Sequence, residues 1–274
     1  MGVVPVLPGA RRPAGPEQPG PIADITRPLR RLWLGTVPYQ AAWELQRRLA
    51  GARAAGEIDD CVLLLEHPPV YTVGRNAEEA HLGAGPAALR ELGAECVEVD
   101  RGGSVTFHGP GQLVAYPIVR LADAFPIAGS PGRGDVIAYV RALEGALIGT
   151  ARRHGVVAAR RPGYTGAWVG SSKLAAIGVK LSKGVTQHGV ALNVCNDLEW
   201  FAHVVPCGIA DAGVTSLAGE GAAGLNPALV SDELAVALAE ALGSSIAEAG
   251  PNLRRMVAEF SPILTSSEPM VVNH

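Results

Sequence analysis

Apolar residues follow two rhythms along this chain, and each rhythm predicts a different kind of element. Cys61-Val62-Leu63-Leu64-Leu65 is a continuous apolar run closed by His67-Pro68-Pro69, the pattern of a strand buried on both faces. Shorter β-branched or aromatic runs at 70–73, 95–100 and 114–119 end in turn residues and read as further strands. Elsewhere the spacing is helical. Val37-Pro38 opens a helix with Trp43, Leu45 and Leu49 facing inward, and Gly51 or Gly56 ends it. Asp135 is placed to cap a second helix that runs to His154, with Gly155 just past its end. Its expected apolar stripe is Val136, Ile137, Val140, Leu143, Ala146, Leu147 and Ala151. Strands dominate again over 156–196. Ser231 is expected to cap a last long helix, with Asp232 and Glu233 favourably placed against its dipole. This order predicts a mixed α/β domain with a large sheet, without regular βαβ alternation and without an internal repeat.

Residues 1–28 are dense in proline and glycine and read as a disordered tail. They hold no continuous apolar core of the kind a signal peptide carries. Folding is expected from Leu29, with a single catalytic domain over 29–260 and a C-terminal tail over 261–274. A chain of 274 residues with 48% hydrophobic and 18% charged residues has the material for a substantial core. The formal charge of −3 gives no support to a nucleic-acid binder, and no apolar run is long enough to span a membrane. Cys61, Cys96, Cys195 and Cys207 show no paired spacing, so reduced thiols and a cytoplasmic location are expected.

Cation usage is where chemistry first shows. Of the 23 lysines and arginines only three are lysine, and Lys173, Lys180 and Lys183 all fall within eleven residues. Arginine stays protonated, whereas a desolvated lysine can give up its proton. Lys180 and Lys183 fit a solvated strand equally well, but Lys173 leads into Leu174-Ala175-Ala176-Ile177-Gly178, a small and apolar setting. Cys207 stands between Pro206 and Gly208, in a rigid loop open to approach. Cys61 and Cys195 lie within apolar runs and read as core residues, and Cys96 as inert. An ammonium near Cys207 would favour the thiolate, the attacking species.

The densest motif is Arg101-Gly102-Gly103-Ser104-Val105-Thr106-Phe107-His108-Gly109-Pro110-Gly111-Gln112. Its glycines allow backbone N–H groups close to a ligand, although a tight β-hairpin accounts for glycine pairs equally well. It is neither a Walker loop nor a dinucleotide fingerprint. His188 or His203 could pair with Cys207 in a hydrolase arrangement. A zinc set of His188, Cys195, His203 and Cys207 follows no common ligand spacing, so no metal is expected. His108 and His188 each precede a glycine, which suits turn or pocket-wall positions.

Three blocks, in order, resemble the lipoyl(octanoyl) transferase family. The first is His67-Pro68-Pro69-Val70-Tyr71-Thr72-Val73-Gly74-Arg75, and the second runs from Arg101 through Ile118. The third gathers Tyr164-Thr165-Gly166-Ala167-Trp168-Val169, 173–179, His188-Gly189-Val190-Ala191-Leu192-Asn193, Pro206-Cys207-Gly208-Ile209 and Val214-Thr215-Ser216-Leu217. The resemblance implies an α/β fold like that of biotin- and lipoate-protein ligases, a larger mixed sheet and a smaller sheet with flanking helices. It implies catalysis by Cys207 and Lys173 through a thioester intermediate. Substrate-binding walls would come from Arg101, Gly102, Gly103, Ser104, Val105, Thr106, Phe107 and His108, then Ala176, Ile177 and Gly178, then Gly189, Val190 and Ala191. The donor would be octanoyl-acyl carrier protein. The acceptors would be lipoyl domains of 2-oxoacid dehydrogenase complexes and the glycine cleavage H protein, with no cofactor. Arg75, Arg160 and Arg161 are candidates to meet the carrier. An ATP-dependent lipoate or biotin-type ligase, a cysteine hydrolase and a non-catalytic acyl-binding module remain the rival readings.

Overall fold

A computed structural model of the protein describes residues 27–78, 81, 83, 85–204 and 213–264, with side chains to Phe260. The chain opens with β1 (Pro28–Thr36), α1 (Tyr39–Ala55), β2 (Cys61–Glu66) and β3 (Val70–Val73). There follow α2 (Gly85–Glu91), β4 (Glu95–Glu98), β5 (Val105–His108), β6 (Gln112–Ile118) and α3 (Leu121–Ala124). Next come α4 (Val136–Arg153), β7 (Ala159–Arg161), β8 (Tyr164–Val169), β9 (Ser172–Ser182) and β10 (Val185–Asn193). A 3-10 turn (Glu199–His203), β11 (Gly213–Val214), α5 (Pro227–Ala241), β12 (Ser245–Glu248) and α6 (Pro251–Leu264) complete the order.

Two sheets result. The larger runs β12-β1-β2-β6-β10-β9-β8-β7, with β11 beside β9, and the smaller runs β4-β3-β5. The apolar run at β2 explains how the large sheet is covered. Cys61, Leu63 and Leu65 pack with Leu45 and Leu49 of α1 and with Leu253 and Val257 of α6. Val62 and Leu64 point the other way, into a core with Leu143 and Leu147 of α4 and Leu234 and Leu238 of α5. A strand with helices on both faces needs apolar side chains at every position, and each Leu or Val so buried is worth about 1.5–3 kcal/mol. The fold is therefore the mixed α/β arrangement expected, with a large mixed sheet, a smaller one and flanking helices.

Several local expectations change. Asp135 does cap α4, accepting from the N–H groups of Ile137 and Ala138. Val136 and Ile137, however, are exposed, and Tyr139 and Glu144 are buried in the stripe instead. Glu144 tolerates burial because Arg141 and Arg160 donate to it at 2.7 and 2.8 Å, with the Gly166 N–H as a third donor. Ser231 is not a cap. Asn226 caps α5 with Pro227 in its first turn, and the Ser231 hydroxyl lies inside the helix, donating to the Ala228 carbonyl. Cys195 lies beyond the end of β10 and is exposed rather than in the core. The C-terminal boundary expected at 260 falls inside α6. No helix among the described residues is long and apolar enough to cross a membrane.

The smaller sheet also settles the glycine-rich motif. β4 and β5 flank β3 on opposite sides, parallel and antiparallel to it, so the chain between them is no hairpin loop. Val99 hydrogen-bonds β3 and Gly102 donates to the Val179 carbonyl, which carries the 101–104 turn across to the large sheet.

Candidate active site

Position 173 owes its orientation to one extra residue. Leu174, Ala175 and Ile177 all belong to the core on the α4 and α5 side. Simple alternation would send Lys173 to that side with Ala175. Instead Ala167 pairs with Ala175 while Trp168 pairs with Lys173, so Leu174 is the added residue of a β-bulge in β9. The bulge returns Lys173 to the opposite face, the one that carries Ala176 and Gly178. There its Nζ lies 4.8 Å from the centre of the Trp168 ring, a cation–π contact, and the residue is 8% exposed. Val214 of β11 pairs with it from the other edge, and Thr215 donates to its carbonyl.

Along the same face lies a cleft with about 460 Å³ of empty space, partly open to solvent. Its floor is a trough of small residues, because Ala176 pairs with Ala191 and Gly178 with Gly189 across the β9–β10 ladder. Larger side chains do not fit there: a Cβ on Gly189 would lie 2.2 Å from the Ala115 carbonyl oxygen, and one on Gly178 would lie 2.8 Å from the Arg101 side chain. The 101–104 turn and β5 form the roof. Tyr39 from the start of α1 and Tyr116 from β6 line the cleft as well.

Buried polar groups stiffen these walls. His67 Nδ1 meets the Val37 carbonyl at 2.6 Å, which makes that nitrogen the donor; Nε2, 2.7 Å from the Tyr116 hydroxyl, must then accept. Burial pulls the His67 pKa down to about 4 despite the carbonyl partner. His108 is likewise pushed well below the ordinary range, by burial first and then by His67, and it meets Gln112 Oε1 at 2.8 Å. His188 sits at φ +56°, a left-handed conformation that costs a side-chain-bearing residue of order 1 kcal/mol. Gln46 accepts from its N–H, and its Nε2 lies 2.9 Å from Asp100. Burial lowers the His188 pKa; Asp100 is pushed up by burial, but hydrogen bonds from Lys180 and His188 outweigh this and hold it low. The rings that line the cleft, His108, His188, Tyr39 and Tyr116, are thus neutral imidazoles and phenols, and Arg101 is the charged group among them.

Of the expected binding block 101–108, all but Gly102 and Phe107 line the cleft, as do 176–178 and 189–191. Gly102 serves as a backbone link, and Phe107 turns away to stack on Trp200 at 5.2 Å. Arg101 is nearly buried and donates to the carbonyl and hydroxyl of Thr72 at 2.8 Å each, so its guanidinium also ties the turn to β3. Lys173 is not a lining residue; it stands three positions before Ala176 on the same face. Cys207 lies outside the described residues. Arg160 is engaged with Glu144, and Arg161 lies over the Tyr164 and Trp168 rings. Among the described residues no group of three or more His, Cys, Asp or Glu side chains could hold a metal ion. Tyr39 was not singled out from sequence, and Tyr116 only as part of a block. A tyrosine inside a fully buried strand such as β6 needs a partner for its hydroxyl, and that requirement was the available signal.

Comparison with known proteins gives a consistent set. The lipoyl protein ligase A/B catalytic domain family matches residues 38–239. An octanoyltransferase of Rubrobacter xylanophilus is 51% identical over 211 residues, covering 76% of this chain and 91% of that protein. One from Chloroflexus aggregans is 53% identical over 190 residues, 68% of this chain and 82% of that one. Among solved structures, a lipoate-protein ligase A bound with ATP superposes with a TM-score of 0.63 at 17% identity, covering 85% of this chain and 93% of that one. A bipartite lipoate protein ligase of Thermoplasma acidophilum, described with its E2 lipoyl domain, gives 0.62 at 16% identity, with 88% and 95% covered. At these identities the two structures speak for the fold alone.

Proposed function

The chain belongs to the octanoyltransferase family, built on the lipoyl protein ligase A/B catalytic domain, and we propose a specific reaction for it. It takes the octanoyl group from octanoyl-acyl carrier protein, holds it as a thioester on Cys207, and delivers it to a lysine of lipoyl domains. Lipoyl domains of 2-oxoacid dehydrogenase complexes and the glycine cleavage H protein are the acceptors. The observation that carries this reading is a nearly buried ammonium, Lys173, at the head of an apolar trough floored by Ala176, Gly178, Ala191 and Gly189. Connectivity adds support. The chain that leaves the described fold at Val204 returns at Gly213 beside Ser172, with Val214 paired to Lys173, and Cys207 stands six positions before Gly213.

In the first step the Cys207 thiolate attacks the thioester carbonyl. A new carbon–sulfur bond forms, the donor's breaks, and the departing carrier thiolate takes a proton from Lys173. The exchange is thioester for thioester and so nearly balanced in free energy. In the second step the acceptor amine attacks, the bond to Cys207 breaks as an amide forms, and neutral Lys173 takes back a proton from the nitrogen. Backbone N–H groups of the glycine-rich turn are the natural donors to the oxyanion of each tetrahedral intermediate. The trough supplies length preference: each buried methylene is worth about 0.8 kcal/mol, so a chain two carbons shorter binds roughly fifteen-fold more weakly.

The test is direct. Incubation with octanoyl-carrier protein should add one octanoyl mass to the peptide containing Cys207, and Cys207→Ser should abolish transfer to a lipoyl domain. Full activity of the serine variant, or a strict requirement for ATP, would instead favour a ligase. Predominant release of free octanoate would mark a hydrolase.

A further inference from the structure

We propose that Tyr39 and Tyr116 are the end stop of the acyl channel and set the length of the chain transferred. The proposal rests on the reading of the cleft as an acyl site and adds the residues that close it.

The sheet supplies the ruler. Lys173 marks the reacting end, and Gly178 lies five residues further along β9, one of them the bulged Leu174. At the strand rise of ~3.3 Å, the Gly178–Gly189 row is roughly 13 Å beyond Lys173. An eight-carbon chain, built from carbon–carbon bonds of ~1.5 Å in zigzag, extends roughly 9 Å. A chain whose carbonyl lies near the lysine therefore ends about 4 Å short of this row, so side chains that rise from the row meet its terminal carbons. Tyr116 follows Ala115, which pairs with Val190, so its ring rises beside Gly189. Tyr39 reaches the same end of the cleft, its hydroxyl 3.4 Å from Nδ1 of His188.

Neither ring can step aside. Tyr39 and Tyr116 are 2% and 3% exposed, and His67, fully buried, stands behind both with ring centroids at 5.0 and 5.9 Å. The Tyr116 hydroxyl is pinned by His67, which is pinned in turn by the Val37 carbonyl. Tyr39 also stacks on His108 at 6.0 Å with the planes 14° apart. A longer chain would have to displace a packed and hydrogen-bonded wall, not a mobile side chain.

The test compares octanoyl and dodecanoyl thioesters as donors to a lipoyl domain, for the wild type and for Tyr39→Leu and Tyr116→Leu. Each leucine variant should raise the dodecanoyl-to-octanoyl ratio of kcat/KM at least ten-fold. The ratio is insensitive to a fraction of unfolded enzyme, which lowers both rates alike. Tyr116→Phe, which keeps the ring, should leave the ratio within two-fold. An unchanged ratio in both leucine variants overturns the assignment, and so does a shift in the phenylalanine variant equal to that of leucine. A second measurement needs no variant: an octanoyl thioester with a photoreactive diazirine near its terminal carbon should label the peptides of Tyr39 or Tyr116 in the wild type. Labelling confined to other peptides overturns the proposal even if the leucine variants do not fold. Failure of the underlying reading looks different, because the wild type would then transfer no acyl chain of any length.

Discussion

Lowering the pH should weaken this fold through His67 by an amount that the structure allows to be worked out. The imidazole is fully buried between Tyr39, Tyr116 and His108, with the Val37 carbonyl on one nitrogen and the Tyr116 hydroxyl on the other. A protonated ring could keep both contacts by turning the Tyr116 hydroxyl round. Desolvation is therefore what opposes the charge, and it holds the pKa near 4 against an ordinary 6.5. Between those two values the unfolded chain binds a proton that the folded one refuses. Stability from this residue is complete above pH 6.5, shrinks as pH falls, and is gone below about 4. At about 1.4 kcal/mol per pH unit the whole window is worth about 3 kcal/mol, of which roughly 2 disappears between pH 7 and 4.5.

His108 and His188 are lowered too and would steepen the same slope, so the contribution of His67 must be taken as a difference. Urea unfolding of the wild type and of His67→Gln, measured at half-unit steps from pH 7 to 4.5, supplies it. The variant will be the less stable protein at neutral pH, since glutamine replaces an imidazole fitted to two partners. The gap should then close by roughly 2 kcal/mol as the pH falls. A gap that stays constant within about 0.5 kcal/mol, about a quarter of the expected change, would falsify the claim that burial keeps this ring neutral.

Three other substitutions probe how the scaffold is held. Asp60 is buried and receives Arg53 at 2.6 Å, the Arg120 N–H at 3.0 Å and Arg27 at 3.3 Å; Asp60→Ala leaves Arg53 with Asp123 alone, at 2.8 Å, and should cost about 3 kcal/mol in denaturant unfolding. Asn226→Ala removes the cap of α5 and should cost about 1 kcal/mol, whereas Ser231→Ala should cost a few tenths at most; equal losses in thermal melts would show that α5 does not start where described.

Much of the architecture could be read before any coordinates, because burial imposes patterns that survive in one dimension. The run at 61–65 is apolar at every position since α1 and α6 cover one face and α4 and α5 the other. The start of α5 was misplaced although its signals were present: Asn226 followed by Pro227 is a cap and first-turn pair, but Ser231-Asp232-Glu233 offered a competing one a turn later. Glu144 could not be read as a core position, since the arginines that make its burial tolerable lie three and sixteen residues away. Cys195 shows the opposite error, an apolar run that outlasts its strand by two residues.

Lys173 is the most instructive position. Its candidacy could be read from the sequence, because a chain that uses arginine nearly everywhere changed cation there. Its direction could not. Alternation along 173–178 puts Lys173 with Ala175 and Ile177, in a core where an ammonium would be stranded. Periodicity has no means of announcing one extra residue. Only the pairing of β9 with β8 shows that Leu174 is surplus, and that surplus turns the lysine out of the core and onto the face that carries the trough. The candidate site therefore depends on a local break in the same rule that made the strands recognisable, and breaks of that kind are set by neighbouring strands, not by the residues that undergo them.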